Sequence, residues 1–68
     1  MSPTKKDPTK QYRQATIEDF KVGAELFDSE GYGHIIREWY DAGVWNCLRG
    51  NVVFESEAKF YTVETQNK

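Results

Sequence analysis

The sequence predicts a small all-β domain of five short antiparallel strands, and three observations lead there. Hydrophobic segments of four to eight residues recur from Val22 to Val63, separated by glycines and polar residues. Within the first of them apolar and polar residues alternate with period two, the pattern of a half-buried strand. Several connections between segments are only about three residues long, which suits hairpins and excludes the crossovers that parallel strands require.

The chain begins with Met1 to Gln14, a stretch whose one large apolar residue is Tyr12 and which holds Pro3 and Pro8. With no hydrophobic period, residues 1–14 are expected to be a disordered basic tail. The character changes at Ala15. Thr16 can cap a short helical turn with Glu18 and Asp19 at its positive end. Ile17 and Phe20, three apart, are expected to dock that turn on the body.

From Lys21 onward, Val22, Ala24 and Leu26 alternate with Lys21, Gly23 and Glu25 to give the first strand. It ends in Asp28-Ser29-Glu30-Gly31-Tyr32-Gly33, where glycine supplies positive φ. His34 to Asp41 forms the second strand; Ile35, Ile36, Trp39 and Tyr40 make it too apolar for strict alternation, so either both faces are partly covered or a bulge shifts the register midway. Asp41-Ala42-Gly43 is a tight hairpin leading to Val44–Leu48, and Arg49-Gly50-Asn51 a second one leading to Val52–Glu55. Ser56 to Lys59 is too polar for a strand and too short for an α-helix, which predicts one 3₁₀ turn. Phe60 to Val63 closes the fold as the fifth strand, and residues 65–68 should fray.

Five strands, a central meander and a 3₁₀ turn ahead of the last strand resemble the SH3-like barrel, over Phe20 to Glu64. Ala24-Glu25-Leu26-Phe27-Asp28 is similar to the Ala-Leu-Tyr-Asp-Tyr stretch of peptide-binding SH3 domains, and Ala58-Lys59-Phe60-Tyr61-Thr62-Val63 to the end of that fold. The loop Ser29 to Gly33 is short, Trp45 has no paired tryptophan, and Glu57-Ala58-Lys59 offers no groove proline. The outline therefore resembles short-looped members such as KOW and Tudor domains more than polyproline binders. That resemblance implies binding to nucleic acid, to ribosomal or polymerase surfaces, or to methylated side chains, and fold alone does not choose among them.

Composition narrows the function classes. A chain of 68 residues that buries only about 60% of its unfolded surface is expected to be stable by roughly 3–5 kcal/mol. Its single cysteine, Cys47, permits no intramolecular disulfide and no multi-thiolate metal site. Cys47 is expected to fill the core on the same face as Trp45. No apolar stretch reaches signal-peptide or membrane-spanning length, so a cytoplasmic protein is expected.

Charge is divided unevenly. Lys5, Lys6, Lys10 and Arg13 stand against Asp7 in residues 1–14, a net +3, whereas residues 15–64 carry four basic and ten acidic groups, a net −6. The carboxylates are scattered and lack the spacing of a calcium-binding loop. The one histidine, His34, has no nucleophile set beside it by the sequence and is expected on the surface at the start of a strand. No metal, cofactor or catalytic constellation emerges.

Aromatic residues outnumber the places a small barrel can offer inside. Trp39, Trp45, Phe54 and Tyr61 are most simply core, which leaves Phe27, Tyr32, Tyr40 and Phe60 in excess. The leading expectation is a non-enzymatic module that binds another protein through an acidic and aromatic surface, with Phe27, Asp28, Tyr32, Trp39 and Tyr40 as contact residues. An aromatic cage for a methylated ammonium group is its sharper form. Two other expectations stand beside it. One is nucleic-acid association through Lys5, Lys6, Lys10 and Arg13; the other is an acidic inhibitor, of the kind phages encode, that imitates nucleic acid.

Overall fold

A computed structural model describes residues 4–65. Six strands form, β1 (Tyr12–Gln14), β2 (Glu25–Phe27), β3 (Gly33–Asp41), β4 (Val44–Cys47), β5 (Val52–Phe54) and β6 (Thr62–Glu64), with 3₁₀ segments at Ile17–Asp19 and Glu55–Phe60. All pairings are antiparallel, in the order β1-β6-β2-β3-β4-β5.

The nine-residue β3 organises the sheet. Its first part pairs with β2 (Glu25↔Ile35, Phe27↔Gly33) and its second with β4 (Ile36↔Cys47, Trp39↔Trp45). Register shifts between Ile36 and Glu38 and between Trp39 and Asp41 mark two irregularities, in favour of the second of the two alternatives for this strand. Bulges bend and twist a strand, and the bend brings residues of β2 through β6 into one core. Leu26, Ile36, Cys47, Val53 and Val63 meet there with Ala15, Phe20 and Ala58, while Trp45 and Tyr61 pack against its margin.

The sheet does not close, so the five-stranded barrel expected from the resemblance is corrected to an open sheet of six strands. β1 and β5 are its edges, and the Glu55–Phe60 segment contacts both of them. The added strand lies within the stretch expected to be a disordered tail. Tyr12 lacks apolar neighbours in sequence but sets its ring edge-on to Phe27, with centroids 5.1 Å apart. The main chain contributes the rest: Arg13 pairs with Val63, and Ala15 N–H donates to the Tyr61 carbonyl at 2.9 Å.

Other boundaries shift for physical reasons. Val22, expected to point inward from the first strand, is 66% exposed. Lys21 to Gly23 forms a turn in which Ala24 N–H donates to the Lys21 carbonyl; Gly23 and Ala24 bond to Ile36, and the regular strand register begins at Glu25. Phe20 is buried as expected, but Ile17 points to solvent. The Asp41–Val44 hairpin uses Gly43 at φ +74°, a conformation in which a side chain would be strained. Phe60 belongs to the 3₁₀ segment and is exposed, so β6 starts two residues later than predicted. No helix among the described residues is long and apolar enough to cross a membrane.

Candidate interaction surface

The five residues expected to make one contact surface lie in two places. Trp39 and Tyr40 sit at the far end of β3, beside the Asp41–Gly43 hairpin, and are 59% and 62% exposed. Phe27, Asp28 and Tyr32 lie at the opposite end, around the β2–β3 connection. Phe27 is 4% exposed and forms no open surface. The sequence placed it outside the core because it could not foresee that Tyr12 would cover its ring.

Asp28 is occupied in holding its turn. One carboxylate oxygen accepts from the Glu30 and Tyr32 amides at 2.9 and 3.0 Å, and the other is 2.9 Å from His34 Nε2. Burial pushes the Asp28 carboxyl upward, but the His34 contact and the two amides outweigh it and leave the group below its usual range. His34 is thereby corrected from a surface residue to a largely enclosed one. Its Nδ1 meets the Asn51 side-chain amide at 3.2 Å, and its ring stands edge-on to Tyr61. Tying β2, β3 and the β4–β5 turn together is a structural use for the histidine.

The exposed end of β3, β4 and β5 differs in character. Cross-strand partners share a face, so Glu38, Asn46 and Val52 form one row and Val44 and Phe54 the next. Phe54, expected in the core, faces outward because Val53 takes the buried position in its three-residue strand. Val52 and Phe54 are partly exposed and Tyr40 lies at the register shift beside them. The opposite face carries the pair Trp39↔Trp45, and Trp45 Nε1–H donates to the Glu55 carboxylate at 2.9 Å. The sheet projects past its core here, leaving apolar side chains on both faces.

Acidic groups border the projection. Glu38 accepts from Arg37 at 3.0 Å and from the Asn46 amide at 3.2 Å, contacts that hold its carboxyl below the usual range. Asp41 accepts from the Ala42 amide within the hairpin. Apolar side chains beside carboxylates form a surface that a partner carrying both apolar and cationic groups can cover.

The four cations proposed for nucleic acid are each engaged by the chain itself. Lys5 Nζ lies 4.3 Å from the Tyr32 ring centroid and Lys6 Nζ 5.3 Å from that of Tyr12. Lys10 is 3.6 Å from Glu64, and Arg13 forms a two-pronged pair with Asp19. These contacts distribute the positive charge along the β1–β6 edge and the β2–β3 turn.

No group of three or more metal-ligating side chains occurs among the described residues. A cleft of about 340 Å³ opens between β2 and β6, which share only the pair Phe27↔Thr62. Arg13, Asp19, Lys21, Glu25 and Glu64 line it and make it predominantly polar, and neither His34 nor Cys47 takes part. Cys47 is 1% exposed in the core, as expected, and burial pushes its thiol pKa up, with Arg49 opposing weakly.

Comparison of the chain with protein-family models, curated proteins and solved structures gives no match.

Proposed function

We propose that the chain is a non-enzymatic interaction module that binds a basic segment of another protein through the projecting end of β3, β4 and β5. The exposure of Trp39 and Tyr40 carries this reading, because a small domain gains nothing in stability by leaving two of its largest side chains in water. Phe54, Val44 and Val52 add apolar area on the face opposite Trp39, and Asp41 and Glu55 supply charge that would select a cationic partner, Glu38 being paired with Arg37. Of the contact residues expected from sequence, Trp39 and Tyr40 are assigned to this surface, whereas Asp28 holds the β2–β3 turn and Tyr32 lies on it.

The run β6-β2-β3-β4-β5, with a 3₁₀ segment ahead of β6, supports reading five of the strands as an SH3-like arrangement to which β1 is added at the edge. The lone buried thiol of Cys47 is in keeping with a reducing cytoplasm. The protein-binding reading is preferred over nucleic-acid association because the four basic side chains of residues 4–14 already face aromatic rings or carboxylates of their own chain.

The test compares the immobilised full chain with its Trp39→Ala, Tyr40→Ala double variant, which removes only exposed side chains. A protein retained from lysate by the first and lost by the second, then bound directly in purified form with an affinity that falls as salt rises, is the expected result. Retention of the same proteins by both would end this reading.

A further inference from the structure

Residues 4–6 lie along the β2–β3 connection and pair with it through one isolated antiparallel bridge. Gly33 N–H donates to the Thr4 carbonyl at 2.6 Å and Lys6 N–H donates to the Gly31 carbonyl at 2.8 Å, bracketing the bridge Lys5↔Tyr32. Gly31 and Gly33 flank the bridge; the Lys6 side chain passes beside Gly31, its Cβ and Cδ at 4.0 Å from where a β-carbon would stand, whereas a β-carbon on Gly33 would meet Glu25 and Phe27. The two lysines then diverge, Lys5 onto the Tyr32 ring and Lys6 onto the Tyr12 ring. Backbone pairing, with the consecutive Lys5 and Lys6 side chains received by separate aromatic faces on either side of the arm, resembles the way an unpaired strand recognises an extended peptide.

We propose that this edge, built from Gly31, Tyr32, Gly33 and Tyr12, is a recognition site for an extended lysine-bearing segment of a partner protein, and that the chain's own Thr4–Lys6 is its resident occupant. The inference is independent of the β3–β5 projection, since the two surfaces share no residue. Three observations support it. The occupant is held lightly: Thr4 and Lys5 are exposed, and the arm brings no apolar side chain to the site. It can also leave alone, because the turn that follows is self-contained. Asp7 accepts from the Thr9 and Lys10 amides at 2.9 and 3.0 Å, and its own N–H donates to the Tyr12 hydroxyl at 2.8 Å. Residues 4–6 can therefore swing out while residues 7–10 stay folded. Charge agrees as well, since residues 15–64 carry a net −6 and favour a cationic segment.

An intramolecular occupant lowers the apparent affinity for any competitor by the fraction of time it fills the site. The experiment uses a fluorescent peptide copying Thr4 to Lys10, a second peptide with both leading lysines replaced by glutamate, and two isotope-labelled full-length proteins, wild type and the Lys5→Glu, Lys6→Glu variant. In wild type, excess lysine peptide should move the Lys5 and Lys6 amide resonances to random-coil positions and shift those of Gly31 to Gly33. In the variant the same peptide should bind more tightly by on the order of tenfold, and the glutamate peptide should bind neither protein.

Equal affinity for both proteins, equal binding of the two peptides, or no shift at Gly31 to Gly33 would overturn the proposal. A concentration-dependent dimer of the wild type in which the arm docks on a second copy would overturn it too. If the variant loses its dispersed spectrum, the wild-type displacement decides alone.

Discussion

Arg13 and Asp19 grip each other with both ends, Nη1 to Oδ2 at 2.9 Å and Nη2 to Oδ1 at 2.8 Å, and so fasten the edge strand β1 to the turn that precedes β2. Asp19 also accepts from the Thr16 amide at 2.8 Å, which caps the turn from its far end. Arg13, burial and Thr16 act on the carboxyl in that order of size, and their sum lowers its pKa from 3.8 to about 2. A depressed carboxyl contributes stability above its unfolded value and loses it as pH falls through its folded value. Because Arg13 is half exposed, screening reduces the contribution to about 1–2 kcal/mol at neutral pH. Asp19→Asn should lose that amount in urea unfolding at pH 7, and the gap to wild type should narrow between pH 4 and pH 2. A gap unchanged by acid would show that the pair is not the source.

Two residues of one predicted strand should respond oppositely to the same change. Leu26 is 0% exposed and Val22 is 66% exposed. Leu26→Ala leaves a cavity worth about 2–5 kcal/mol, comparable to the whole stability of roughly 3–5 kcal/mol expected for such a chain. Loss of the cooperative thermal transition by circular dichroism is the expected outcome. Val22→Ala should stay within about 0.5 kcal/mol of wild type; a large loss there would place Val22 in the core after all.

Removing the Asp28 carboxylate orphans the Tyr32 and Glu30 amides and one contact of His34 together. Asp28→Ala is expected to cost about 2–3 kcal/mol and to speed amide exchange at Gly31 and Gly33, whose hydrogen bonds depend on that turn. Since the Asp28 carboxyl is held below its usual range, its contribution is present at neutral pH and is lost in acid below about pH 4. An unaltered exchange rate at Gly31 and Gly33 would refute this assignment.

Cys47 should react with a thiol reagent only when the domain opens. Its side chain is 1% exposed and burial raises its pKa, so the reactive thiolate is both scarce and enclosed at pH 7. Labelling in native buffer is expected to be slower than in urea by on the order of a hundredfold or more, in proportion to the population of opened molecules. Rapid labelling of the native protein would contradict the core placement.

Much of the fold is legible in local sequence because turns announce themselves. Gly43 and Gly50 both take positive φ, and the meander they delimit, β3 to β5, is close to the expected one. What escapes is long-range. Tyr12-Arg13-Gln14 carries no alternation that would mark a strand, since most of its support comes from main-chain pairing with a segment at the other end of the chain. Phe27 and Phe54 show the same limit on the site. Each is an aromatic in a three-residue strand, and each lies on the side opposite to the one its local sequence implies. Tyr12 arrives to cover Phe27, whereas nothing among the described residues covers Phe54 to the same extent. Period-two alternation separates the faces of a strand without saying which face the rest of the chain will reach. Trp39, expected both in the core and among the contact residues, is 59% exposed and so is corrected out of the core; Tyr40 is exposed as expected.

The pairing of β1 with β6 makes the polypeptide nearly a ring. Tyr12 faces Glu64, and Thr65 N–H donates to the Gln11 carbonyl at 2.8 Å. Closing so large a loop costs chain entropy that no local contact returns until the two ends meet. The hairpins from β2 to β5 can therefore assemble ahead of that junction, and the seam between the ends should be the last part of the molecule to zip and the first to part under load. A force pulling residue 4 away from residue 65 would first free residues 4–6 from Gly31 and Gly33 and then act on the β1–β6 seam in the unzipping direction, parting one pair at a time before the core yields.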